Sequence, residues 1–220
     1  MCLCARAHAR VAEYDDVIAG VKGASARYRF SGMPGQGADN LDYFSWNAGP
    51  AHFISLAAFF PDFSANSAMT KWLNADLAAV NRAVTPWIVV ETHAPWYNSN
   101  TQHTKDGAKM MGSYESIFQQ FGVSIVVAGH VHAYERSCPV FKGACVADGE
   151  AARYFTSGDG GASLYTKWIA QPAWSEVRIA EWGHGEVTFF NNTWAQWNWV
   201  RNADQEPEAY DSVYIKNVGL

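Results

Sequence analysis

Two apolar, β-branched runs in this 220-residue chain each end in histidine, and that repeated design restricts the fold more than any other feature. The first, Trp87-Ile88-Val89-Val90-Glu91-Thr92, runs straight into His93. The second, Ser124-Ile125-Val126-Val127-Ala128, stops at Gly129 and presents His130 and His132. Short continuous apolar runs bounded by turn residues predict strands buried on both faces, as in a parallel sheet covered by helices. Ligand sites in such sheets gather outside the carboxyl ends of the strands. Only Val131 separates His130 from His132, and in an extended chain residues two apart share a face. Neutral imidazole is the commonest metal ligand, although two or three of them do not complete a metal's coordination shell.

The rest of the chain supplies the elements such strands need. Residues 51–57 are strand-like. Residues 67–83 place Met69, Trp72, Leu73, Asp76, Leu77 and Val80 at helical spacing, with Thr85-Pro86 as the stop. A second helix is predicted over 107–121, with Met110, Met111, Tyr114, Ile117, Phe118 and Phe121 inward. Strand, helix, strand, helix, strand is the succession of parallel pairing through crossover helices. A short helix at 11–18 and a glycine-rich passage at 20–37 precede it. Beyond Ser137 the helical pattern stops, and 151–156, 176–180, 186–191 and 193–200 are predicted strands, the last two meeting at a turn-like Asn191-Asn192. Trp197 and Trp199 share a strand face and are assigned to a core between sheets rather than to a stacking platform. Glu181 and Glu186 flank a predicted Gly183-His184-Gly185 turn and are taken as solvated. With no linker or repeat, residues 1–220 form a single domain, about 11–136 as its core and about 137–220 as a β-rich segment packed on it.

Composition excludes some function classes. At 49% hydrophobic the chain can bury a sizeable core, and 16 basic against 21 acidic residues give no electrostatic footprint for nucleic acid. No run of eighteen apolar residues would span a membrane, and the first residues carry no apolar stretch of a signal peptide. Cys138 and Cys145 bracket a stretch with hairpin chemistry, which leaves two readings: a short disulfide made in an oxidising compartment, or two free thiols.

Several segments resemble the purple acid phosphatases, a branch of the binuclear metallophosphoesterases. They are T-H-A-P-W-Y-N-S at 92–99, G-H-V-H-A-Y-E-R-S at 129–137, G-D-G-G at 158–161, and a tail running from Trp182-Gly183-His184-Gly185 through Asn191-Asn192-Thr193 to 197–202. Arg27-Tyr28-Arg29-Phe30 and residues 49–56 add to them in the same order. The resemblance implies an α/β fold, a metallophosphoesterase-type sandwich of two mixed β-sheets flanked by helices, here lacking its amino-terminal part. It implies an acid phosphatase that hydrolyses small phosphate monoesters with hydroxide generated at a dinuclear centre of Fe(III) with Zn, Mn or Fe(II). Carried onto this chain, His93 and His130 become ligands of the divalent ion and His132 a ligand of the ferric one. His103 becomes the residue that contacts phosphate and protonates the leaving alcohol, and Asp159 a structural neighbour rather than a ligand. The family has a cysteine pair like Cys138 and Cys145, and its members are secreted, where the Asn191 sequon would be a glycosylation site.

In the family three further blocks that complete the site, G-D-x-G, G-D-x-x-Y and G-N-H-D/E, stand upstream of these segments, and none of them occurs there in this chain; the G-D-G-G of 158–161 is a separate, later segment. They supply two Asp, a Tyr and an Asn. Two functions therefore compete: the histidine-bearing portion of an acid phosphatase, or an inactive truncated paralogue that keeps part of the fold as an interaction module. In either case strands supplied from upstream are expected to pair with 51–57 and 87–92, leaving exposed edges on those strands when absent.

Overall fold

The computed structural model describes residues 42–203 and 209–219. The helix expected at 11–18, the glycine-rich passage and the Arg27-Tyr28-Arg29-Phe30 segment lie outside the described residues. Within them the elements run β1 (Tyr43–Ala48), β2 (Ala51–Leu56), α1 (Ala68–Ala79), β3 (Trp87–Thr92), α2 (Ala108–Phe121), β4 (Ile125–Ala128), β5 (Tyr134–Phe141) and β6 (Ala144–Cys145). Then follow β7 (Arg153–Ser157), β8 (Ser175–Ile179), β9 (Gly183–Phe189), β10 (Trp194–Arg201) and β11 (Ala209–Lys216).

The expected βαβαβ succession builds the centre of the molecule. β2, β3, β4 and β7 pair in parallel, and the full sheet has the order β1-β2-β3-β4-β7-β5-β6, with β8 on β5. Both crossover helices pack on one face, where Met69, Leu73, Leu77, Met110, Tyr114 and Phe118 meet Ile54, Ile88, Val90 and Val126. Alternate residues of the same strands, Trp87, Val89, Ile125 and Val127, face the other way onto Trp197, Trp199, Ala195 and Ile215 of the second sheet. That sheet has the order β11-β10-β9, and its described strands run antiparallel. Burial on both faces is why the central strands read as unbroken apolar runs.

Ser67 caps α1 by accepting from the Thr70 amide at 3.1 Å. The helix stops at Ala79, short of the expected 83, because Val80 turns extended and Asn81 accepts from the amides of Val84 and Thr85 at 2.9 Å each. α2 ends at Gly122, whose φ of 68° is the left-handed termination glycine favours. Lys142 and Gly143, with φ 49° and 78°, close the β5–β6 hairpin as a two-residue turn, and Cys138 and Cys145 are joined across it by a disulfide.

Several expectations need correction. β1, β5 and β11 were not foreseen. In β5 and β1 the apolar pattern is interrupted by polar residues that are buried because they have partners. Glu135 accepts from Ser99 and Ser175, Arg136 donates to Asp211 and Glu176, and Ser45 donates to Asp76 at 2.6 Å. Gly183-His184-Gly185 is not a turn but the start of β9. Its glycines lie under the rings of Trp199 and Trp197, which a β-carbon would approach to 2.2 and 1.9 Å. Glu181 pairs with Arg201 at 3.1 Å, while Glu186 is exposed as expected. Strands 51–57 and 87–92 are not edges: β2 lies between β1 and β3, and β3 between β2 and β4. Trp197 and Trp199 are fully buried in the core between sheets, whereas Trp182 and Trp194 are exposed.

Candidate metal centre

β3 ends at Thr92 and β4 at Ala128, so His93 and the Gly129-His130-Val131-His132 segment leave the sheet side by side. The Gly129 amide donates to the His93 carbonyl at 3.1 Å and ties the two loops together. The second loop is not extended, as the one-residue spacing had suggested. Val131 N donates to Gly129 O at 2.6 Å and Ala133 N to Val131 O at 2.8 Å, while His130 takes a left-handed φ of 59°. That conformation costs a β-carbon-bearing residue roughly 1–2 kcal/mol and is held by packing. A β-carbon on Gly158 would lie 2.2 Å from Val131 O, so the backbone of the Gly158-Asp159-Gly160-Gly161 loop presses directly on the histidine loop. The coiling still brings both histidines to one place. His93, His130 and His132 line a single pocket with Gly129, Ser157, Gly158 and Gly160.

Each imidazole presents a free nitrogen. His132 Nδ1 donates to Ser163 O at 2.8 Å and its ring stacks on Tyr165 with centroids 4.4 Å apart, leaving Nε2 uncommitted. His130 Nε2 meets Asp106 Oδ2 at 2.9 Å, which leaves Nδ1. The His93 ring has no hydrogen-bond partner among the described residues and stands 4.6 Å from that of His130 between centroids. Burial, followed by the neighbouring imidazoles, depresses the His93 pKa and so favours the neutral form that binds cations. Imidazoles whose second nitrogen is held by a carbonyl or a carboxylate match the orienting contacts usual around protein-bound metals. The histidine part of the site thus fits a metal.

His103 does not line the pocket itself. It stands at the rim, its ring centroid 3.9 Å from that of His130 and its Nδ1 2.9 Å from Asp106 Oδ2. The loop that carries it looked polar and unpatterned in sequence, yet Asn98, Ser99 and Asn100 are buried. Glu135 accepts from the Ser99 amide and hydroxyl, Asn98 Oδ1 from the Asn100 amide, and Asn100 Oδ1 from the Gln102 amide. Asn100 and Trp168 form a β-bridge, and Asn100 Nδ2 donates to Tyr165 O. This network gives the loop one conformation and so places His103.

Two contributors were missed in sequence. Asp106 meets both His103 and His130, and the donor atoms of these three residues lie within 4.8 Å of one another. A carboxylate three residues after a loop histidine was the available signal. Phe59, 62% exposed, sets its ring edge-on to His93 and His130 at 5.9 and 5.3 Å; the β2–α1 loop that carries it gave no sign of this. Asp159 is not among the residues that line the pocket and is wholly buried, accepting from Trp199 Nε1 at 2.7 Å and Ser157 Oγ at 3.0 Å. Burial outweighs those hydrogen bonds and pushes its pKa up to about 6.

Comparison with known proteins adds an independent line. The profile of the Calcineurin-like phosphoesterase family matches residues 21–134, and that described as Iron/zinc purple acid phosphatase-like protein C matches residues 151–212. Purple acid phosphatase 18 of Arabidopsis thaliana is 40% identical over 185 residues, covering 83% of this chain and 42% of that protein. A purple acid phosphatase of Glycine max is 38% identical, over 80% of this chain and 40% of its own. The Fe(3+)-Zn(2+) purple acid phosphatase 12 of A. thaliana is 37% identical, over 75% and 38%. The structure of a purple acid phosphatase from yellow lupin (Lupinus luteus) seeds superposes with a TM-score of 0.72 at 24% identity, over 79% of this chain and 32% of that one, a likeness of fold. The chain spans about two fifths of the length of the curated relatives it matches.

Proposed function

Because this chain belongs to the Calcineurin-like phosphoesterase family, on its purple acid phosphatase branch, we propose that it carries the histidine portion of an acid phosphatase site for small phosphate monoesters. The observation that carries the proposal is the convergence of His93, His130 and His132 on one pocket, each with a free nitrogen, with His103 at its rim.

In this reading His93 and His130 would hold a divalent ion and His132 a ferric one, the remaining ligands coming from the family's upstream blocks, which are not found ahead of residue 92 here. A dinuclear centre of Fe(III) with Zn, Mn or Fe(II) supplies Lewis acidity towards the phosphate and activates the attacking water. The chain's own residues do the rest. His132 is kept in one tautomer by the Ser163 carbonyl, and burial shifts His93 towards its neutral form. At Gly158 and Gly160 the pocket wall is backbone alone. His103, with Nδ1 held by Asp106, has Nε2 left to give a proton to the departing alcohol oxygen. In-line displacement by water needs no protein nucleophile. Asn191, exposed in its sequon, and the Cys138–Cys145 disulfide support a secretory route with glycosylation at Asn191.

The test begins with the genomic sequence upstream of Met1. If G-D-x-G, G-D-x-x-Y and G-N-H blocks are encoded in frame, the complete product should bind two metal ions and hydrolyse p-nitrophenyl phosphate near pH 5. His130→Ala or His132→Ala should then lower metal content and abolish turnover. His103→Ala should keep the metal and slow turnover of an alkyl phosphate such as glycerol 2-phosphate about 10²–10⁴-fold, the scale of general acid help. The 220-residue chain alone should show no metal-dependent hydrolysis. A complete product that binds two ions without hydrolysing phosphate monoesters would refute the proposal.

A further inference from the structure

Asp106 occupies a position that neither the histidine motifs nor the family matches assign. Its Oδ2 accepts from two rings at once, His103 Nδ1 at 2.9 Å and His130 Nε2 at 2.9 Å. The two imidazoles are thereby clamped with centroids 3.9 Å apart and planes inclined by 48°. Each ring has one N–H committed to the same oxygen, so each turns its other nitrogen away from Asp106: Nε2 of His103 and Nδ1 of His130. The carboxylate is itself firmly seated. It directly precedes Gly107, the N-cap of α2, and a β-carbon on Gly107 would come within 2.3 Å of Pro95 O, so the helix start is wedged against the loop that follows His93. The positive end of the α2 dipole favours a negative charge at this point. Hydrogen bonds from His130 and then His103 hold the Asp106 pKa below the usual carboxylate range.

We propose that Asp106 is a positioning residue for phosphate ester hydrolysis, fixing the proton donor His103 relative to the metal-holding His130 so that the leaving-group oxygen and the bound phosphate are served from one rigid unit. The inference rests on the phosphatase reading. Asp106 touches neither substrate nor a reacting atom in it. It acts through two imidazoles, by tautomer and by distance, as carboxylates behind metal-bound histidines do. Its effect is therefore greatest where protonation of the leaving group matters most. A poor leaving group such as the alkoxide of glycerol 2-phosphate needs His103, whereas p-nitrophenolate departs with little help.

The experiment uses the complete metal-loaded enzyme and the substitutions Asp106→Asn, Asp106→Glu and His103→Ala, with glycerol 2-phosphate and p-nitrophenyl phosphate as substrates. Asp106→Asn is isosteric at a half-exposed side chain. It should keep both metals and the wild-type melting temperature, with KM changed less than about threefold. On glycerol 2-phosphate kcat should fall about 10- to 100-fold, a fraction of the full general-acid effect, and on p-nitrophenyl phosphate much less. Asp106→Glu should recover part of the loss. Asp106→Asn combined with His103→Ala should be no slower on glycerol 2-phosphate than His103→Ala alone, since residues acting as one unit are not additive. An equal loss on both substrates, additivity in the double variant, or loss of a metal ion on Asp106→Asn would overturn the inference, the last outcome making Asp106 a ligand. A wild-type enzyme inactive on both substrates would sink the phosphatase reading itself. An active one with a leaving-group-independent Asp106 effect would sink only this inference.

Discussion

Replacing Asp159 with asparagine should change how the fold's stability depends on pH. Asp159 is wholly buried between the two sheets, and among the described residues its side chain accepts from Trp199 Nε1 and the Ser157 hydroxyl. Burial raises its pKa from 3.8 to about 6. The folded state therefore binds a proton that the unfolded chain releases more readily. The sign follows: the stabilisation is fully present below about pH 4, is lost as pH rises towards 6, and is absent above it. A rise from 3.8 to about 6 corresponds to about 3 kcal/mol, taking roughly 1.4 kcal/mol for each tenfold change. The side-chain amide of Asp159→Asn keeps an acceptor for Trp199 and a donor for Ser157 without the charge. The variant should thus gain on wild type by most of that 3 kcal/mol between pH 4 and pH 7.5. Urea unfolding of both proteins, followed by tryptophan fluorescence at several pH values, measures it. Glu91 and Glu135, whose pKa values burial also raises, contribute alike to both and cancel in the difference. Parallel stability curves from pH 4 to 7.5 would refute the reasoning, because they would mean that Asp159 is solvated in the folded protein.

Other outcomes follow from the packing and the covalent structure. Gly185→Ala should destabilise by about 1–3 kcal/mol or more, since the added carbon falls 1.9 Å from the Trp197 ring; thermal melts by circular dichroism report it. Asn217→Ala should cost about 2–4 kcal/mol, as several hydrogen bonds to buried groups are lost at roughly 1 kcal/mol or more each. Its amide joins Pro86 O, Asn192 O, the Ser124 hydroxyl and Arg82, and denaturant midpoints would show the change. Thiol titration of unfolded protein should count two more thiols after reduction than before, the two from Cys138 and Cys145. Equal counts would remove the argument for an oxidising compartment.

The sequence by itself determined the central βαβαβ unit and the three pocket histidines, because both rest on local pattern. Runs such as Trp87 to Thr92 are apolar on both faces only when both faces are covered, and helical spacing over 107–121 appears without knowledge of what the helix meets. The motifs also placed His93, His130 and His132 at strand ends, where the sheet's direction makes them converge. Tertiary structure alone decided the rest. β5 was illegible because Glu135, Arg136 and Ser137 look like surface residues until Ser99, Ser175, Asp211 and Glu176 arrive from elsewhere in the chain to satisfy them. Gly183-His184-Gly185 resembled a turn because the reason for its glycines, two tryptophan rings on the next strand, is a contact and not a composition. Asp106 carried only the weak mark of standing three residues after His103, for a carboxylate ahead of a helix is ordinary. Only the folding of the His130 loop over the His103 loop brings two imidazoles to one of its oxygens.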